Sequence, residues 1–221
     1  MAILFGGNDH LIELNTIHHV TSVTYDSGAI YAGRDLSSRG TIIRWNLLHH
    51  LDTEAPCNSH TSCIRPAIYM DDWAGGNAVY GNIFYKTQIG FFSNCGGDMS
   101  FENNLFVKTE IAIRQSGLDL AHNMYAPFVS TAEFLYMLLH LVPFKGSLWS
   151  SRYPELCQRF GNWTVPQEPP LGATAPLGNS FATNIVANAS IPHAWACETC
   201  PQKANATTPS WVAGIYPKNF G

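Results

Sequence analysis

One short line recurs through the chain and constrains its fold more than anything else: an apolar residue, two spacers, an asparagine, a spacer and a second apolar residue. It reads Ile12-Glu13-Leu14-Asn15-Thr16-Ile17, then Ile43-Arg44-Trp45-Asn46-Leu47-Leu48, then Val79-Tyr80-Gly81-Asn82-Ile83-Phe84, then Phe101-Glu102-Asn103-Asn104-Leu105-Phe106. After a long interruption it returns as Phe181-Ala182-Thr183-Asn184-Ile185-Val186. A second line alternates with it: Ala29-Ile30-Tyr31, Ala67-Ile68-Tyr69, Gly90-Phe91-Phe92 and Ala112-Ile113-Arg114. Two short strands per repeat, at a period of roughly 20–40 residues, are the mark of a solenoid.

Strands this brief bury a face only when successive coils stack and share an interior, which is the logic of a parallel β-helix. An asparagine at one place in every coil can then bond its neighbours as a ladder. The pairs Gly75-Gly76 and Gly96-Gly97 are expected at tight turns that need positive φ. The fold class expected is all-β, a right-handed parallel β-helix with a short α-helical insertion.

Four segments follow from the pattern. Stacked coils occupy residues 1–117, a helical and loop insertion 118–178, a returning strand 179–190 and a loop-like tail 191–221. Within the insertion, Ser130-Thr131-Ala132-Glu133 is a capping box ahead of an apolar helix that Pro143 ends. A second helix is expected from Tyr153-Pro154. The repeats begin almost at Asn8, so further coils are expected to precede them. Met1–Phe5 has neither the charged start nor the apolar length of a signal peptide.

The 221 residues are 46% hydrophobic and 13% charged, with a net charge of -4, which leaves no basic footprint for nucleic acid. No apolar run reaches the ~20 residues that span a bilayer. Among six cysteines, Cys57 with Cys63 and Cys197 with Cys200 are disulfide candidates. Sequons at Asn162, Asn188 and Asn205 are glycosylation candidates, and together with the cysteines they suggest a secreted protein.

Stacking brings the turns after the second strands into one line: Arg34 and Asp35, Asp71 and Asp72 with Trp73 beside them, Asn94, then Gln115. Neighbouring carboxylates push their pKa values apart, which equips one as acid and the other as base. Paired carboxylates are the machinery of glycoside hydrolysis, and Trp73 or Tyr31 would offer a platform for a sugar ring. Asp71 and Asp72 are thus catalytic candidates, with Arg34, Asp35, Trp73 and Asn94 binding substrate. Turn aspartates also satisfy local backbone, so a purely structural role stays open. The pairs His18-His19 and His49-His50 stack between coils and fit a hydrogen-bonded ladder better than a metal site; no metal is assigned.

The runs Asp26-Ser27-Gly28-Ala29-Ile30-Tyr31-Ala32-Gly33-Arg34, Ile42 to His49, Ile68-Tyr69-Met70-Asp71-Asp72, Gly81-Asn82-Ile83-Phe84 and Asn103-Asn104-Leu105-Phe106 resemble the right-handed parallel β-helix proteins of polysaccharide degradation, built on the pectate-lyase-like superfold. They are most similar to glycoside hydrolases of the fucosidase and xylanase type, over roughly Asn8 to Asn188. The resemblance implies a catalytic pair of aspartates, one before the Gly-Ala-Ile-Tyr strand and one after the next Ile-Tyr strand. Those positions are Asp26 and Asp71, with Asp72 as rival for the second role and Asp35 as a local alternative for the first. Arg34 and His49 would contact sugar hydroxyls. The implied partner is a polysaccharide or oligosaccharide, with no cofactor. A lyase on the same fold, which would use calcium, and a non-catalytic carbohydrate-binding β-helix are the alternatives.

Overall fold

A computed structural model describes residues 1–51, 64–117, 143–163 and 177–195. Three wholly parallel sheets run the length of the stack. Each full coil contributes a strand to every sheet, so the architecture is an all-β parallel β-helix. The chain enters at β1 (Ile3–Leu4). The first coil is β2 (Leu11–Glu13), β3 (Thr16–His18) and β4 (Ile30–Gly33), and the second is β5 (Ile42–Arg44), β6 (Leu47–His49) and β7 (Pro66–Asp71). The third is β8 (Ala78–Tyr80), β9 (Ile83–Tyr85) and β10 (Ile89–Asn94), and the fourth is β11 (Ser100–Glu102), β12 (Leu105–Val107) and β13 (Ile111–Ser116). The last is β14 (Ser180–Ala182), β15 (Ile185–Ala187) and β16 (Ile191–Trp195). The six-stranded sheet is ordered β1-β4-β7-β10-β13-β16.

Each coil therefore holds three strands, not the two that the sequence suggests. The asparagine line is itself a corner. The residue before each ladder asparagine is left-handed, with φ of 59° at Leu14, 55° at Trp45, 66° at Gly81, 53° at Asn103 and 54° at Thr183. That turn splits the line into two strands in different sheets. The ladder secures it: Asn15, Asn46, Asn82 and Asn104 each donate Nδ2 to the Oδ1 of the next asparagine, at 2.9–3.0 Å. The same Oδ1 atoms accept the backbone N–H of the preceding asparagine at 2.9–3.0 Å. These buried polar groups are satisfied along the stack rather than by solvent.

Inside, apolar side chains stack in register. Ile17, Leu48, Phe84, Phe106 and Val186 form one column, and Ile30, Ile68, Phe91 and Ile113 another. Phe84 and Phe106 stack at 4.7 Å. Among the paired glycines only Gly76 has positive φ, 63°. Gly96 is required by proximity instead, since a Cβ there would lie 1.9 Å from the Ala74 carbonyl oxygen.

Two short helices, α1 (Ser147–Arg152) and α2 (Pro154–Phe160), cover one side of the stack. Helix α2 starts at the proline that the sequence marks; α1, with no side-chain cap, gives no such signal. Phe144, Tyr153, Leu156, Phe160 and Trp163 close a second core against Leu36, Trp73 and Cys95. Ion pairs pin it: buried Arg39 contacts Asp98 and, at 3.0 Å, Glu155, while Arg159 also contacts Asp98. The capping-box helix, Cys57, Cys63, Cys197, Cys200 and Asn205 lie outside the described residues. Asn162 and Asn188 are exposed. No helix among the described residues is long and apolar enough to cross a membrane.

Candidate functional site

The outer face of the six-stranded sheet carries the clustered polar chemistry. Alternation along the strands sends Ile30, Ile68, Phe91 and Ile113 inward and the next residues outward. The outward row is Tyr31, Tyr69, Phe92 and Arg114, in register across four coils. Two positions further along each strand lies a second outward row: Gly33, Asp71, Asn94 and Ser116.

These rows interlock. The Tyr31 hydroxyl donates to Asp71 Oδ2 at 2.6 Å, and the Tyr69 hydroxyl donates to Asp26 Oδ1 at 3.1 Å while facing Asp71 as well. Its one proton goes to Asp26, because Asp71 already takes its short bond from Tyr31. Asp26 and Asp71 thus flank one phenol, although the first precedes its strand and the second ends the next. A left-handed backbone at Asp26, φ 51°, turns the chain toward the sheet there. Burial, reinforced by the carboxylates, pushes both phenols well above the ordinary tyrosine value, so they serve as donors.

Asp71 Oδ1 also accepts from the Asp72 backbone N–H at 2.9 Å and from Asn94 Nδ2 at 3.0 Å. The same Asn94 amide donates to Asp72 Oδ1 at 3.1 Å, and Arg34 Nε donates to Asp72 Oδ2 at 3.1 Å. Ser116 Oγ donates to Asn94 Oδ1 at 2.6 Å, orienting the amide. Asp71 and Asp72 are buried, whereas Asp26 and Arg34 are exposed. The result is a deep, fully hydrogen-bonded carboxylate beside an accessible one.

The expected line of turn residues is therefore real for Arg34, Asp72, Asp71 and Asn94, with three corrections. Ser116, not Gln115, occupies the position after Asn94; Gln115 pairs with Ser93. Asp35 faces its own turn, accepting from Ser37 N at 2.8 Å and Ser37 Oγ at 2.6 Å. Trp73 is only 1% exposed and belongs to the second core, so its ring offers no platform. Left-handed backbone at Asp72 and Trp73, φ 31° and 70°, swings that ring inward.

His49 lies in a different sheet. Its ring stacks on His18 at 4.8 Å, His50 stacks on His19 at 5.6 Å, and Nδ1 of His49 bonds Nδ1 of His50 at 2.7 Å. This is the ladder arrangement, and no contact among the described residues joins it to the aspartates. Burial holds the His49 and His50 pKa values below the usual histidine value. Among the described residues no group of three or more His, Cys, Asp or Glu side chains is arranged to hold a metal ion.

A cavity of about 310 Å³ lies elsewhere, between α1 and the first coil, lined by Asn8, Asp9, Leu148, Trp149, Arg152 and Tyr153. Its acid is consumed by the Arg152–Asp9 ion pair at 2.9 Å, so it lacks the paired carboxylates of the sheet face. Sequence reasoning missed Tyr69 and Arg114. Each stands third in its second line, where the sequence marks it only as a strand residue, and the register turns both to the outer face. Comparison with family models, curated proteins and solved structures found no match.

Proposed function

We propose that this chain is a carbohydrate-active β-helix that cleaves glycosidic bonds with Asp26 and Asp71. The observation that carries the reading is the Tyr69 hydroxyl held between those two carboxyl groups. Two carboxyls that converge on one point can act on opposite sides of a glycosidic oxygen and anomeric carbon. Asp71, oriented by Tyr31, Asn94 and the Asp72 N–H, is the positioned carboxylate that attacks the anomeric centre or activates water. Asp26, at the exposed rim, protonates the leaving oxygen and then regains a proton, from the incoming water where Asp71 is the nucleophile and from solvent where Asp71 itself activates the water. Asp72 is engaged with Arg34 and Asn94 and supports Asp71 from behind. The exposed Arg34 reaches the rim, where it can meet sugar hydroxyls.

A second reading has its own support. Both oxygens of Asp71 already hold donors, as they would in a site that binds a glycan without breaking it.

Incubation with a panel of polysaccharides separates the possibilities. Hydrolysis releases reducing ends with no ultraviolet-absorbing unsaturated product and is indifferent to a chelator. An unsaturated product lost on chelation would replace the hydrolase with a lyase. Glycan binding without any new chain ends would leave the non-catalytic module.

A further inference from the structure

The outward row of the six-stranded sheet carries a cation, Arg114, beside Phe92, with Ala194 in register beyond it. Tyr69 and Phe92 stack at 4.7 Å with 15° between their planes, and the Arg114 guanidinium lies over the Phe92 ring at 4.8 Å. Three carboxylates share this face, yet each is engaged by other donors: Asp72 by Arg34, Asp71 by Tyr31 and Asn94, Asp26 by Tyr69. Among the described residues, Arg114 has no carboxylate and no hydrogen-bond acceptor. Burial lowers its pKa from the ordinary arginine value, the direction expected of a half-buried charge short of a counter-ion. An aromatic face beneath a guanidinium holds the plane flat and leaves the N–H donors directed from its edge. That geometry is suited to a planar or tetrahedral oxyanion taken in a two-pronged contact.

We propose that Arg114 is an anion-recognition residue, selecting a sugar that bears a carboxylate or sulfate in the subsite beside the Asp26–Asp71 pair. The proposal rests on the carbohydrate reading above but not on turnover. The anion offsets the desolvation of a guanidinium whose contact among the described residues is the Phe92 ring rather than a carboxylate. The Tyr69–Phe92–Arg114 stack sets the distance between the charged substituent and the reacting carboxyls.

Equilibrium binding tests it. Wild type, Asp71→Asn, Arg114→Met and Arg114→Lys are titrated with neutral, uronate-containing and sulfated oligosaccharides, and with the carboxyl-reduced and desulfated counterparts of the acidic ones. Thermal melts establish that every variant is folded. Wild type and Asp71→Asn should bind acidic glycans, and removing the anionic group or introducing Met should weaken binding at least tenfold. Arg114→Lys should retain part of the salt-sensitive binding. Carboxyl reduction and desulfation report which anion is read. Equal binding of acidic glycans and their neutral counterparts, wild-type affinity in Arg114→Met, or no acidic glycan bound by folded wild type would each overturn the proposal. Turnover of a neutral glycan, abolished by Asp71→Asn, together with acidic glycans bound as tightly by Arg114→Met as by wild type, sinks the anion site alone. Acidic glycans bound through Arg114 but never cleaved sink the hydrolase alone.

Discussion

The Tyr31 hydroxyl of one coil donates to Asp71 of the next at 2.6 Å, while the Tyr69 hydroxyl of that next coil donates back across the stack to Asp26. Both phenols are raised above their usual value, first by burial. In the native state they keep their protons above pH 10, where the unfolded chain loses them. Native protein then binds more protons than unfolded protein, so this stabilisation is complete below pH 10 and falls as pH rises beyond it. Alkaline titration followed by tyrosinate absorbance should show two phenols that ionise only on unfolding. Tyr31→Phe and Tyr69→Phe should each remove one; full titration of all tyrosines in folded protein would contradict the arrangement.

The asparagine ladder makes its middle rung costlier than its end. Asn82 donates to the Ile43 carbonyl at 2.9 Å and to Asn104, and it accepts from Asn46, all in the buried stack. Asn82→Ala leaves several of these groups unsatisfied and should destabilise by about 3 kcal/mol. Asn15, partly exposed at the first coil, should cost about 1 kcal/mol. Chemical denaturation measures the difference, and equal costs would argue against a cooperative ladder.

Arg39 is the bolt between the stack and α2. Its guanidinium is 1% exposed and meets Asp98 and Glu155. Removing one partner of a buried ion pair strands the other, so Arg39→Met should cost about 3–5 kcal/mol. Glu155→Gln, at the more exposed end, should cost about 1 kcal/mol or less. A loss of near-ultraviolet signal from Trp149 and Trp163 before global unfolding would show that the helices detach first.

The histidine ladder implies an acid-sensitive corner. His49 and His50 have lowered pKa values, chiefly by burial, with His18, His19 and Lys86 adding repulsion. The unfolded chain therefore binds protons that the native state refuses. The stability concerned is full above about pH 6.5 and is lost as pH falls from there through the lower native values. Replacing His49 and His50 together with Gln should flatten the dependence of melting temperature on pH below 6.5. An unchanged slope would show that these histidines do not set the acid sensitivity.

Much of the fold is written in Asn15, Asn46, Asn82, Asn104 and Asn184, because a ladder demands the same amide at every coil. The third strand of each coil is not. Its corner needs only a left-handed residue, and Leu14, Trp45, Gly81, Asn103 and Thr183 share no chemistry that would announce one. At the site, Asp71, Asp72, Asn94 and Arg34 were legible because each closes a strand at equivalent places. Trp73 was misplaced because backbone conformation, not composition, decides which side of a turn a ring takes. Tyr69 was overlooked for the opposite reason: an aromatic in a strand reads as interior core, and although Tyr69 is buried with Phe92, only the register shows that it lies on the outer face of the sheet, between two carboxyls.

Asp26 and Asp71 are proposed to act as a pair, and their conservative amides distinguish that from a purely structural cluster. The initial rate of reducing-end release is compared for wild type, Asp26→Asn and Asp71→Asn, each matched for folding by circular dichroism. Either amide should lower the rate by about 100-fold or more, the scale of lost acid–base or nucleophilic assistance. The double variant should be scarcely worse than the poorer single one, as for residues that act as a unit. Folded single variants that retain the wild-type rate would show that Asp26 and Asp71 are not a catalytic pair.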